Sequence, residues 1–313
     1  MSTMLSIVGT MFHAQSYLRE FVTRAMAAAE ATGLPYEIVL VNDGSPDGSL
    51  ALAKRLSDEF AHVRVVDLAR NFGHHRAMMI GLRHVRGDLV FLIDLDLEEP
   101  PEMLGDFLRT LRANPDADVV YGQLAKRKGG WWERFSGAMF YRLLDWIGGI
   151  AVPRNISTVR LMTRRYVDSL LEYGEREVFM AGLWKDTGYG QVPFEFTKGD
   201  KGETTYGFRR KVSLLVNSIV AFSSKPLAMI FSTGMLISFG AAVYTLYLIY
   251  RGLAHGNAPS GWASVIASIW LLGGLIIFFL GIIGIYLSKI FVEVKQRPYA
   301  IVREIYEGRS NDA

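Results

Sequence analysis

The 313-residue sequence contains no cysteine. Disulfides and thiolate metal sites are therefore excluded. Charge is scarce too: 21% of residues are Asp, Glu, Lys or Arg, and the net balance is only +3. So mild a balance leaves no electrostatic footprint for nucleic acid, and none is expected as a partner. No basic residue precedes the apolar stretch from Met4 to Phe12, and Arg19 is the first charge, so no signal peptide is expected there. Internal repeats, low-complexity tracts and Pro/Gly/Ser-rich linkers are also missing. What is abundant is apolar mass, at 50% of residues with a mean hydropathy of +0.19. That combination excludes disorder, a small disulfide scaffold and a coiled coil, and it points to apolar surface outside a water-facing core.

The excess is concentrated. Pro226 to Tyr250 and Gly252 to Ser288 hold no Asp, Glu, Lys or Arg. Each exceeds the roughly 20 apolar residues that a bilayer crossing needs. Two membrane spans are expected, at about 227–250 and 262–287, with Trp and Tyr near their ends; a buried helical hairpin is the competing reading. Arg209, Arg210, Lys211 and Lys225 precede the first run and Lys289, Lys295, Arg297 and Arg303 follow the second, whereas the connecting turn has only Arg251. The positive-inside rule then puts both large ends in the cytoplasm, at the inner membrane. The expected organisation is a catalytic-sized domain over 1–205, a basic juxtamembrane segment over 206–225, the spans over 226–288, and an amphipathic cytoplasmic tail over 289–313 that returns along the membrane or to a partner subunit.

Before the spans, apolar strands alternate with helical stretches. Strands are expected at Leu5 to Thr10, Tyr36 to Val41, Val63 to Leu68, Asp88 to Ile93 and Val119 to Gly122. Helices are expected at Tyr17 to Ala31, Ser49 to Phe60, His74 to Val85 and Pro101 to Arg112. This alternation, with continuous Val/Ile/Leu strands, argues an α/β fold around a mostly parallel sheet covered on both faces. Ligands in such sheets bind beyond the carboxyl ends of the strands, so the residues that close each strand carry the information. The second strand closes in Asn42-Asp43-Gly44-Ser45, and the fourth in Asp94-Leu95-Asp96 followed by Glu98 and Glu99. Carboxylates two apart on an extended chain point the same way, which suits a hard divalent cation shared with phosphate; capping of the next helix is the plainer alternative.

Three ordered motifs make the sequence recognisable: Val41-Asn-Asp-Gly-Ser-Pro-Asp-Gly48, Ala69-Arg-Asn-Phe-Gly-His-His75, and the stretch from Gly87 through Asp94-Leu-Asp96 to Glu102. They resemble the family-2 glycosyltransferases, most closely the polyprenyl-phosphate hexosyltransferases (the bactoprenol glucosyltransferase and dolichyl-phosphate mannose synthase group). The likeness continues through Phe222-Ser-Ser-Lys-Pro-Leu227 and the two-span tail. It implies a GT-A-like nucleotide-sugar domain, with Asp43 at the base and Thr10 and Phe12 lining the same pocket. It also implies Mg²⁺ or Mn²⁺ at Asp94 and Asp96, with Glu98 as a further ligand, and a homo-oligomer, tetrameric in close relatives. The expected partners are a nucleotide-sugar donor, a polyprenyl phosphate acceptor and the membrane, in the service of surface-glycan or lipopolysaccharide synthesis.

Other residues keep two readings. Arg70 and His74 either hold the diphosphate or sugar, or His74 and His75 cap the following helix. Where close relatives read Gly-Asp-Phe-Arg-Leu, this chain has Ser157-Thr158-Val159-Arg160-Leu161, so no carboxylate base stands at Thr158. An anionic lipid phosphate needs no base, whereas a sugar hydroxyl acceptor does, and Glu177 is then the candidate; a solvated helix start is its alternative. Lys198, Arg209 and Arg210 either bind the acceptor phosphate or anchor the chain on anionic lipid. The stretch from Trp131 to Trp146 reads as an amphipathic membrane-surface helix or as ordinary core.

Overall fold

The computed structural model describes residues 3–124, 156–176, 178, 180–197, 225–255 and 261–308. Glu177, Lys198, Arg209, Arg210 and the 131–146 stretch lie outside them. The chain divides into two compact units, one formed by residues 1–141, 150–206 and 297–313, the other by 142–149 and 207–296.

The first unit is an α/β domain built on an eight-stranded sheet of order β7-β5-β6-β4-β1-β2-β3-β8. Its centre is parallel and arises from the alternating half of the sequence: β1 (Leu5–Met11), β2 (Tyr36–Asn42), β3 (Val63–Leu68) and β4 (Leu89–Leu92). Leu5 pairs with Tyr36 on one side and with Leu89 on the other, so β1 is the middle strand. Buried residues run continuously along β2 and β3, as expected of strands covered on both faces. The covering helices are α1 (Leu18–Glu30), α2 (Ser49–Glu59), α3 (His74–Arg83) and α4 (Leu104–Ala113). On α1, Leu18, Phe21, Val22, Ala25, Ala28 and Ala29 form the buried face, at helical spacing. Truncating Phe21, which is fully buried, to Ala would cost about 3–5 kcal/mol through lost burial and the cavity left behind. The helix expected from Pro101 begins as a 3-10 turn (Pro101–Met103) before α4 takes over, which suits a residue that has no N–H to donate.

The flanks of the sheet are mixed. β5 (Val119–Leu124) and β4 both pair antiparallel with β6 (Ile156–Thr163), and β7 (Gln191–Phe196) lies parallel to β5. Between them in sequence lie α5 (Arg164–Glu172) and α6 (Met180–Asp186). At the opposite edge, within the stretch read as an amphipathic tail, Val302–Glu307 forms β8, antiparallel to β3. Val302 and Tyr306 are half-buried and the other residues of β8 are exposed, as suits a strand at the sheet edge.

The second unit holds two long helices, α7 (Lys225–His255) and α8 (Trp262–Val294). Within α8, Ser268–Val294 is 27 residues long and, by length and composition, apolar enough to cross a membrane. The first expected span falls in α7, where the apolar stretch found among the described residues, Lys225–Ala241, is shorter. One candidate crossing is thus present among the described residues where two were expected.

Candidate active site

Because β1 lies between β2 and β4, the carboxyl ends of these strands and the loop after β3 open onto one place. There they enclose a cleft of about 410 Å³. Of the residues expected at the donor and metal sites, Thr10, Phe12, Asp43, His74, Asp94 and Asp96 line it; Arg70 and Glu98 do not.

The second strand delivers Asp43 buried. Its two carboxylate oxygens accept the backbone N–H groups of Phe72 (2.7 Å) and Gly73 (3.0 Å). Burial raises its pKa above the ordinary carboxylate value, against the opposing pull of those two amides and of His74. Asp43 therefore ties the second strand's loop to the third's. The turn between them is tight: Gly44 has φ +62°, and a Cβ there would lie 2.4 Å from the Asn71 nitrogen. Only a residue without a side chain admits the 70–73 loop so closely.

That loop starts α3. Gly73, at φ 98°, precedes the helix, and His74 opens it. One ring nitrogen of His74 meets the Thr10 hydroxyl, with Nδ1 and Oγ1 2.8 Å apart; the other, Nε2, lies 3.3 Å from Asp94 Oδ1. His74 thus joins the ends of β1 and β4 across the cleft. The next two side chains turn elsewhere: the His75 ring Nδ1 lies 3.1 Å from the Val178 carbonyl and Arg76 donates to that of Arg176 (2.8 Å). Burial pushes the His75 pKa down. Arg70 stacks over Phe72, 4.2 Å from the ring centroid, and donates to the Asn71 carbonyl, so here it braces the loop.

Asp94 and Asp96 supply hard oxygen donors facing the cleft, the ligand type that Mg²⁺ and Mn²⁺ take. Asp96 also accepts the Glu98 amide (3.1 Å), which shapes the turn. Among the described residues no set of three His, Asp or Glu side chains forms a cage. The donor set therefore fits a cation that completes its shell from phosphate oxygens and water.

Sequence reasoning passed over the brace behind this site. Asp47 Oδ1 accepts the Ser45 and Ser49 hydroxyls (both 2.6 Å) and the Ser49 amide, while Gln15 Oε1 accepts the Gly48 amide. Ser45 in turn accepts the His13 amide (2.8 Å), so the loops after β1 and β2 interlock. The signal was present in Asn42-Asp-Gly-Ser-Pro-Asp-Gly-Ser49, whose small hydroxyls and carboxylates hydrogen-bond locally. On β6, Ser157 donates to the buried Glu99, and the guanidinium of Arg160 lies 3.0 Å over the Trp184 ring. Burial lowers the Arg160 pKa to about 9.

A mixed α/β sheet with an acidic cleft at its parallel strand ends is a ligand-binding architecture shared by several enzyme classes, and comparison with known proteins says which class this one falls in. The sequence profile described as Glycosyl transferase family 2 matches residues 6–171. The chain belongs to glycosyltransferase family 2. It is 50% identical over 302 residues to a Mycobacterium tuberculosis (strain CDC 1551 / Oshkosh) protein named among the glycosyltransferases, covering 96% of this chain and 88% of that one. It is 32% identical over 304 residues to the uncharacterized glycosyltransferase YkcC of Bacillus subtilis (strain 168), covering 96% and 94%. In fold it is similar to Mycobacterium tuberculosis glucosyl-3-phosphoglycerate synthase, solved with Mn²⁺, uridine diphosphate and glucosyl-3-phosphoglycerate: TM-score 0.50 and 16% identity over 71% of this chain and 80% of that one.

Proposed function

We propose that this glycosyltransferase is membrane-bound and inverting, and that it moves a hexose from a nucleotide sugar to polyprenyl (undecaprenyl) phosphate at the cytoplasmic face of the inner membrane, for surface-glycan or lipopolysaccharide modification. The observation that carries this reading is a single chain joining a donor cleft to a 27-residue apolar helix segment, Ser268–Val294. A lipid substrate is the natural partner of such a combination.

In this reading the nucleotide sits against Asp43, Thr10 and Phe12, and its diphosphate points to Asp94 and Asp96. Asp94 and Asp96, with Glu98 nearby, would hold Mg²⁺ or Mn²⁺, which when bound would supply positive charge against the leaving nucleoside diphosphate. His74, held between Thr10 and Asp94 through its two ring nitrogens, orients Asp94 toward the diphosphate. The acceptor phosphate oxygen attacks the anomeric carbon from the face opposite the nucleotide; the carbon–oxygen bond to the diphosphate breaks and the configuration inverts. Since that oxygen is already anionic, no base is needed, consistent with Thr158 in place of a carboxylate. Lys198, Arg209 and Arg210 hold the lipid phosphate, and the two apolar runs form two spans in a homo-oligomer. A second reading, a sugar hydroxyl acceptor on a lipid-linked glycan, rests on Glu177 as base.

The test is radiolabel transfer by the purified full chain with Mg²⁺ or Mn²⁺, offering UDP-glucose, UDP-galactose, UDP-N-acetylglucosamine and GDP-mannose in turn to undecaprenyl phosphate. Label in a mild-acid-labile lipid is the expected result. Donor binding with no lipid product would overturn the phosphate acceptor and favour the hydroxyl.

A further inference from the structure

We propose that β8, the strand that follows the long apolar helix in sequence, braces the donor site from behind its loops, and that Arg303 is a positioning residue for the nucleotide-binding loop. The inference rests on the donor-site reading above and adds to it an element more than two hundred residues away in sequence.

The strand pairing is irregular where it matters. Glu304 pairs with Asp67, but Leu68 pairs with Val302, so Arg303 is an extra residue opposite no partner. Bulges of this kind re-aim a side chain. Here the guanidinium turns to the carboxyl end of β3, donating to the Ala69 carbonyl (2.5 Å) and lying 3.5 Å from Asp67 Oδ2. The Ala69 amide in turn donates to the Ile301 carbonyl (2.9 Å), so residue 69 is clasped on both its backbone groups. Asp67 is buried, and its other oxygen accepts from Asn42 Nδ2 (2.7 Å), while Asn42 Oδ1 accepts the Ser45 amide.

Both arms lead to the cleft. Through Asp67 and Asn42, Arg303 reaches the loop that carries Asp43. Through Ala69 it fixes the start of the 70–73 loop, whose Phe72 and Gly73 amides bind Asp43 and whose last glycine precedes His74. The other end of β8 is anchored separately: Glu307 accepts from Arg64 (3.0 Å) and Arg86 (2.7 Å) at the amino end of β3, the sheet edge opposite the cleft. Arg303 is itself 57% exposed, so its loss leaves no hole in the core.

The experiment compares Arg303→Ala, Arg303→Lys and Glu307→Gln in the full chain by hydrogen exchange of the peptide spanning residues 69–76 and by UDP and GDP binding with Mn²⁺. Arg303→Ala is expected to raise exchange at the 72 and 73 amides and to weaken nucleotide binding about threefold to thirtyfold, the range of coupling through a bonded network. Arg303→Lys, which keeps the charge but not the fork, should fall between. Glu307→Gln should lower thermal stability while leaving both readouts at wild type. Equal effects of Arg303→Ala and Glu307→Gln on exchange and affinity would reduce β8 to a simple edge strand and overturn the proposal, as would an unchanged Arg303→Ala. If the wild-type chain bound neither nucleotide, the donor-site reading would fall while the exchange data alone still decided the role of Arg303.

Discussion

Replacing Gly44 with alanine attacks the point where two loops of the donor site touch, and its cost can be worked from the geometry. The residue sits at φ +62°, where an L side chain costs about 1–2 kcal/mol. The added Cβ would also lie 2.4 Å from Asn71 N and 2.5 Å from Arg70 C, both backbone atoms that no rotamer change can move aside. The 70–73 loop must therefore retreat, taking the Phe72 and Gly73 amides away from Asp43. A hydrogen bond to a charged group contributes about 1.5–3 kcal/mol, and weakening the pair brings the expected loss to roughly 3–5 kcal/mol. For a domain of this size that corresponds to a fall of about 6–20 °C in Tm. Gly33 provides the control: its φ is +71° but nothing lies within 4 Å of its would-be Cβ, so Gly33→Ala should show the backbone cost alone, about 1–2 kcal/mol. Thermal unfolding of both variants, with nucleotide binding measured alongside, makes the comparison. If Gly44→Ala unfolded with Gly33→Ala and bound nucleotide normally, the close approach of the two loops would be refuted.

Asp96→Asn should abolish transfer in a radiolabel assay while circular dichroism and membrane association stay at wild type; an active variant would remove the metal assignment. His74→Ala cuts the link between Thr10 and Asp94. We expect kcat to fall at least tenfold with little change in Tm, read by steady-state kinetics beside a melting curve. Arg160→Ala strips the buried guanidinium from beside Trp184 and leaves the Glu99 carboxylate without its nearby cation. It should destabilise the fold by about 3–5 kcal/mol in a denaturant titration. Asp47 supplies the pH prediction. Burial pushes its carboxyl up, but the Ser45 and Ser49 hydroxyls and the Ser49 and Gln15 amides outweigh that and bring its pKa down to about 2, from 3.8. A depressed folded-state pKa gives stability that is complete above about 3.8 and fades as the pH falls toward 2. Asp47→Asn should flatten that acid limb of the stability profile.

The central sheet was legible because β1 to β4 are continuous apolar runs, each closed by a turn signal or a polar residue such as Asp94, and local sequence suffices to recognise such runs. The same holds for the cleft, since parallel strands deliver their closing residues to one edge and Thr10, Asp43, Asp94 and Asp96 all close strands. The mixed flanks were not legible. Whether β6 pairs antiparallel with both β4 and β5 depends on contacts across long sequence separations, to which periodicity is blind. β8 shows the same limit more sharply: Val302-Arg-Glu-Ile-Tyr-Glu307 has no strict apolar/polar alternation to mark a strand, and its partner, β3, lies far upstream. Roles within loops also escaped. The stacking of Arg70 on Phe72 could not be read from its neighbours, and Asp47 had no expected role, although it organises the turn.

Calorimetric titration of UDP and GDP into the wild-type chain and Asp96→Asn, each with and without Mn²⁺, tests most directly whether the strand-end cleft is a metal-assisted nucleotide-sugar site. One nucleotide should bind the wild type with an affinity that Mn²⁺ raises at least tenfold, and Asp96→Asn should lose that increment while remaining folded. Binding of equal strength with or without Mn²⁺ in both proteins would contradict the account.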